Sequence, residues 1–168
     1  NLLTELSDCA VPCIVDPSPD KCADKKTSCI VVHPVGLPIA PVKNGKLLFF
    51  SDKLAHLVDV LKTAHENDWI HRDVKVDNIF WDEARSRVFL NDWGSAVKAG
   101  NTTSWVGTEA FSAITKTNEP ILPLAEHDLV SLVKTVFCVV HNHFPVISDG
   151  NKAATPFWKN VFDNPKWK

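Results

Sequence analysis

Methionine is absent from all 168 residues, and the sequence starts at Asn1. A primary translation product starts with Met, so the chain reads as a trimmed or processed piece of a longer product. Long apolar runs are also absent: none approaches the ~20 residues that span a bilayer. The first fifteen residues include Glu5, Asp8 and Cys9 and lack the basic start of a secretory signal. No CxxC pair occurs among Cys9, Cys13, Cys22, Cys29 and Cys138, which removes the usual structural zinc pattern. Their odd number argues against an extracellular disulfide framework. Cys9, Cys13 and Cys29 stand beside Val and Ile runs, where a free thiol serves as a small hydrophobe. A reducing intracellular compartment, cytoplasmic or nuclear, is expected. An excess of one charge is missing too. The net charge of -2 and pI near 6.4 give no electrostatic reason to expect nucleic acid or an anionic membrane as partner.

What is present is the composition of a soluble globular chain, 45% hydrophobic and 23% charged, of a length suited to one domain or a large piece of one. Residues 1–7 read as the end of an amphipathic helix. Val11–Val15 and Ser28–His33 read as strands, joined by a Pro-, Asp- and Lys-rich hairpin loop over Asp16–Lys26. Pro34, Gly36, Pro38 and Pro41 make 34–46 a connector. Leu54, Leu57, Val58, Leu61 and Ala64 then recur at helical spacing, with Ser51 available as N-cap and an end near Asp68. Ile79–Trp81 and Val88–Leu90 read as two strands across a charged turn, and 93–123 has no clear period. A second long helix is expected over about Leu124–His141, with Leu129, Leu132, Val133, Val136, Phe137 and Val140 on one broad apolar face, each worth roughly 1.5–3 kcal/mol if buried. A short helix is expected over Phe157–Phe162.

Chemistry concentrates after the first long helix, in His71-Arg72-Asp73-Val74-Lys75-Val76-Asp77-Asn78, with Asp92-Trp93-Gly94 following fourteen residues later. Asp73 and Asn78 share one loop, and a strand–turn–strand returns Asp92 beside them. Two carboxylates and an amide thus converge, a sparse oxygen set of the kind that holds Mg²⁺ on a phosphate.

These residues resemble the catalytic loop and metal-binding turn of eukaryotic protein kinases. The resemblance implies an α+β fold: a mainly helical C-terminal lobe with a few short strands. Residues 1–33 would be a remnant of the N-terminal lobe, 34–46 the hinge and connector, and 47–168 the C-terminal lobe. It implies Asp73 as catalytic base, Lys75 as the group steadying the transferred phosphate, and Asn78 and Asp92 as Mg²⁺ ligands that also hold ATP. Val32 and His33 would grip adenine through the hinge backbone. Arg72 would pair with a phosphorylated activation loop, with Thr102, Thr103 and Ser104 as candidate phosphosites. His71 and Gly94 would be supports. Gly107-Thr108-Glu109-Ala110-Phe111-Ser112-Ala113 resembles the substrate-positioning segment, with Thr108 in it, and Asp128 the aspartate that props the loop from below.

The implied activity is transfer of the ATP γ-phosphate to a serine or threonine hydroxyl of a protein substrate. Three features depart from the family pattern. The 168 residues carry no glycine-rich loop, phosphate-pairing lysine or helix glutamate, so the missing N-terminal lobe must come from the same or another chain, and the piece alone is expected to be inactive. Ile114-Thr115 replaces Pro-Glu after Ala113, removing a buried ion pair. Trp93 stands where phenylalanine is usual, as in divergent kinases of the Crinkler-effector type. Two other readings remain open. One is a small-molecule phosphotransferase of the aminoglycoside or choline kinase type, which often carries Asp-Trp at the metal turn. The other is a pseudokinase scaffold that transfers nothing.

Overall fold

A computed structural model describes residues 13–16, 31–33, 36–39, 52–142, 145 and 154–163 of the chain. The helix end expected over 1–7, the 16–26 loop beyond Asp16 and the Ser51 cap lie outside these residues. Two short strands, β1 (Cys13–Asp16) and β2 (Val31–His33), pair antiparallel with Cys13 opposite His33 and an irregularity between Ile14 and Asp16.

Helix α1 (Asp52–Glu66) buries Leu57, Val60, Leu61 and Ala64, the i, i+3, i+4, i+7 stripe of an amphipathic helix. Val58, expected on the same stripe, is exposed. The helix ends at Glu66, two residues before the expected end, and a turn follows that Asp68 closes: its φ of 60° is left-handed and its N–H donates to the His65 carbonyl at 2.9 Å. Strand β4 (Trp69–Ile70) follows directly and pairs with β7 (Val97–Lys98), bracketing the chemistry-bearing loop.

Strands β5 (Ile79–Asp82) and β6 (Arg87–Leu90) form the expected hairpin, with Ile79 opposite Leu90 and Asp82 opposite Arg87. A third strand, β3 (Leu37–Pro38), pairs with Trp81 and Phe80 and gives the order β3-β5-β6. The connector is therefore not wholly irregular, as its prolines had led one to expect. Pro38 is tolerated because β3 is an edge strand, where one N–H is dispensable. Gly36 is needed beside it, since a Cβ there would lie 2.5 Å from the Phe89 ring.

The sheet and α1 enclose a core that includes Leu57, Leu61, Val74, Ile79, Val88, Leu90, Trp93 and Leu132. Each large aliphatic side chain buried there stabilises by roughly 1.5–3 kcal/mol. Helix α2 (Ala125–His141) crosses below the loop and α3 (Ala154–Asp163) packs a second cluster, with Trp158 and Val161 against Ala110, Phe111 and Cys138. The buried face of α2 is Asp128, Ser131, Leu132, Thr135, Cys138 and Val139. That corrects the expected stripe: Leu129 and Val133 are 44% and 65% exposed. The helix is turned by about one residue, which brings Asp128 under the loop above, where it bonds two main-chain N–H groups. Burial pushes the Cys138 thiol up to about 12, so it behaves as a small hydrophobe. Among the described residues no group of three or more His, Cys, Asp or Glu side chains is placed to hold a metal ion, and no helix is long and apolar enough to cross a membrane.

Candidate active site

Residues 71–78 leave β4 and return into β5 through a single 3-10 turn at Val76–Asn78. Asp128, fully buried, anchors the start of this loop. Its Oδ2 accepts from the His71 N–H at 2.8 Å and its Oδ1 from the Arg72 N–H at 2.8 Å. His65, at the end of α1, meets the same Oδ2 at 2.9 Å. Thr135, two turns further along α2, shares its one hydroxyl proton between the Ser131 carbonyl at 2.8 Å and the Val74 carbonyl at 3.3 Å. These contacts hold Arg72 in the left-handed region, with φ 70°.

The imidazole of His71 is fully buried and packs edge-on against Trp93, with ring centroids 4.6 Å apart. Its Nε2 meets the Asn91 carbonyl at 2.9 Å, while its Nδ1 accepts from the Asp73 N–H at 3.2 Å. One donor and one acceptor are the capacity of a neutral imidazole. Burial lowers the His71 pKa, outweighing the opposing pull of Asp128, the Asn91 carbonyl and the nearby Asp73 and Asp92 charges. Trp93 fills its apolar slot and donates from Nε1 to the Leu90 carbonyl at 2.8 Å.

Asp73 is the hub of the polar cluster. Its Oδ1 accepts from the Thr108 N–H at 2.9 Å, and its Oδ2 accepts from Lys75 Nζ at 2.7 Å and Asn78 Nδ2 at 3.2 Å. Burial pushes its pKa up, but the hydrogen bonds and charges of Lys75, Thr108 and His71 win and hold it below the ordinary carboxylate value. An ionised carboxylate offers about four lone-pair sites. Three are taken, leaving one for a hydroxyl proton. Lys75 also donates to Thr108 Oγ1 at 2.8 Å, which leaves its ammonium one donor. Asn78 spends its amide N–H groups on Asp73, including the main-chain carbonyl at 2.8 Å, and keeps its Oδ1.

Asp92 opens the second 3-10 turn, Trp93–Ser95, in the left-handed region at φ 60°. It is exposed, and its carboxylate makes no hydrogen bond among the described residues. Gly94 is exposed beside it; a Cβ there would come within 3.4 Å of Asp92 Oδ1. Free oxygens on Asp92 and Asn78 fit the hard, oxygen-seeking Mg²⁺ that accompanies a nucleotide.

Arg72 reaches the segment that follows Asp92: its Nε donates to the Ser95 carbonyl at 2.5 Å and its Nη1 to the Ser104 carbonyl at 3.2 Å. Thr103 forms a two-way main-chain bridge with Ile121, at 2.9 Å each way, while Thr102 and Ser104 are exposed. Gly107 has φ 116°, and a Cβ there would sit 2.6 Å from the Arg72 carbonyl. That close approach is what delivers Thr108 to Asp73. Val32 and His33 lie in the β1–β2 ribbon.

The sequence reading missed His65, Thr135 and the Asn91 carbonyl. Thr135 carried a signal: it lies seven residues after Asp128, two helical turns along the same face. His65 and a main-chain carbonyl carried none.

A family model of the protein kinase domain matches residues 50–162, and the chain belongs to that family. The serine/threonine-protein kinase US3 homolog of Gallid herpesvirus 2 (strain GA) is 39% identical over 66 residues, covering 39% of this chain and 16% of the relative. The chain thus spans only 16% of the length of that curated relative. Among solved structures, the Cydia pomonella granulovirus kinase PK-1 superposes with a TM-score of 0.59 at 18% identity, covering 90% of this chain and 57% of PK-1. Vaccinia related kinase 3 gives 0.53 at 22% identity, covering 67% and 38%. At these identities the likeness is one of fold.

Proposed function

We propose that the chain is the catalytic-lobe part of a protein kinase that transfers the γ-phosphate of ATP to a serine or threonine hydroxyl of a protein. The observation that carries this reading is the Asp73–Lys75–Thr108 cluster. Asp73 is ionised, held still by three donors, and has one acceptor site left for the attacking hydroxyl's proton. Lys75 keeps one donor for a phosphate oxygen as charge develops on it. Asn78 and Asp92 would hold Mg²⁺, which when bound neutralises the phosphate charge. Positioning and electrostatics are nearly all that this chemistry asks of a protein.

Thr108 favours a protein acceptor over a small molecule. Both its N–H and its hydroxyl belong to the cluster, so the 107–113 segment is fixed to the base as a platform for a peptide. Retention of Asp73, Asn78 and Asp92 speaks against a scaffold that transfers nothing. Within the proposal, 1–33 and 34–46 are the N-lobe remnant and hinge, with Val32 and His33 at the adenine, and the protein works inside the cell. Thr102 and Ser104 are exposed enough to be phosphorylated, and Arg72 has donors beyond the two in use. Phosphatase treatment that leaves the rate of the full-length protein unchanged would remove them as regulatory sites.

The test of the reading is incubation of the full-length protein with γ-labelled ATP, Mg²⁺ and protein acceptors, followed by phosphoamino-acid analysis. Labelled phosphoserine or phosphothreonine is expected. Label on tyrosine alone, or on small-molecule hydroxyls alone, would overturn it.

A further inference from the structure

A cavity of about 260 Å³ with both polar and apolar walls opens between the 109–115 segment and helices α2 and α3. A water molecule's share of liquid volume is about 30 Å³, so the space admits a whole side chain. Lys134 and Lys159 line it together with Trp158, Ser112, Thr115 and Glu109.

Lys134 is the unusual group. It is half-buried on α2, and its Nζ donates to the Ser112 carbonyl at 2.6 Å and stands 5.5 Å from the centroid of the Trp158 ring. No carboxylate among the described residues comes within ion-pair distance of it, and Glu109 makes no bridge to it. Burial lowers its pKa with no acidic group opposing. A cation removed from water without a counter-charge is unfavourable unless something else supplies one. Holding the Ser112 carbonyl uses one of three ammonium donors, and a ring face is a weaker partner. Lys159 adds a second positive charge at the rim, with its side chain 73% exposed and only a 3.7 Å contact to the equally exposed Asp163.

The cavity is also close to the chemistry along the chain. The N–H groups of Phe111 and Ser112 both donate to the Thr108 carbonyl at 2.9 Å, a tight turn that joins the cavity wall to the residue clamped on Asp73. A polypeptide whose hydroxyl reached Asp73 would have neighbouring residues within reach of it.

We propose that this cavity is a docking subsite for an acidic side chain of the protein substrate, an Asp or Glu carboxylate that pairs with Lys134 after steering by Lys159. The proposal rests on the reading of the chain as a protein kinase and adds a substrate class to it: proteins with acidic residues near the accepting hydroxyl.

Binding is measured without ATP, by fluorescence anisotropy on the full-length kinase. The probes are two labelled peptides that share one serine, one with Asp and Glu around it and the other with Asn and Gln. The acidic peptide should bind roughly tenfold tighter or more, as expected for a hydrogen bond between charged groups. The difference should shrink in high salt. Lys134→Gln should abolish the preference, and Lys159→Gln should weaken it about threefold, the scale of an exposed pair. Thr115→Glu provides the check if Lys134→Gln does not fold, because it places a carboxylate in the same cavity and should block the acidic peptide while leaving the other unaffected. Equal affinity for both peptides, or a preference that survives Thr115→Glu, overturns the subsite. Normal transfer to the Asn/Gln peptide in that case leaves the kinase reading standing. Selective binding with no transfer to either peptide upholds the subsite and removes the kinase reading instead.

Discussion

Asp73 and Asp92 are both carboxylates near one loop, yet their surroundings separate their roles. Asp73 is buried and bonded on both oxygens, whereas Asp92 is exposed with both oxygens open. On the proposed assignment, Asp73→Asn in the full-length protein should lower kcat by several orders of magnitude and leave nucleotide affinity nearly unchanged, because a base acts on the acceptor. Asp92→Asn should abolish transfer and weaken the Mg²⁺ dependence of nucleotide binding, read by titration calorimetry. Equal loss of nucleotide binding in both would show that the roles are misassigned. His71 gives a pH signature of stability. Its folded pKa lies below the ordinary 6.5, so the unfolded chain takes up a proton first as pH falls. Stability is therefore full above about 6.5 and declines as pH drops from there toward the folded pKa. Asp73 is depressed instead, so its contribution is present above 3.8 and lost only in stronger acid. Thermal unfolding between pH 7.5 and 5 should show a falling midpoint, with a flatter slope in His71→Gln.

Among the elements, α2 shows how far a sequence reading reaches and where it stops. The existence of α1, the β5–β6 hairpin and the extent of α2 were legible because their periods and turn residues are local signals. The loop motif was legible because Asp73, Asn78 and Asp92 stand at fixed intervals on one hairpin. The phase of α2 was not. Counting apolar residues selects Leu129 and Val133, but the buried stripe runs through Asp128, Ser131 and Thr135. Hydrogen bonds to a loop more than fifty residues away decide which side faces inward, and hydropathy carries no record of them. Two substitutions measure this. Leu132→Ala should destabilise by about 2–5 kcal/mol as a core truncation. Val133→Ser should change stability by no more than about 0.5 kcal/mol. Comparable losses in chemical denaturation would restore the apolar stripe. Strand β3 was hidden for a similar reason: Pro38 masks a pairing that depends on Phe80 and Trp81 across the sheet.

For the whole molecule, the proposed function gives these residues the acceptor side of the reaction, and the 168 residues include no glycine-rich phosphate loop, so alone they should turn over far below the roughly 1–100 s⁻¹ of kinases. Turnover in that range by the purified chain on a serine peptide would show that no further lobe is needed. The anchoring of the 71–78 loop has another consequence. Asp128 receives the N–H groups of His71 and Arg72 from a fully buried position between α1 and α2. Those two protons cannot reach solvent by fraying of the loop, since freeing them requires α2 to leave its seat. In deuterated buffer the amides of His71 and Arg72 should exchange as slowly as those in the middle of α2, in step with global opening. In Asp128→Ala both should exchange as fast as the amides of the exposed Asn101 and Thr102, making the loop a separately melting unit.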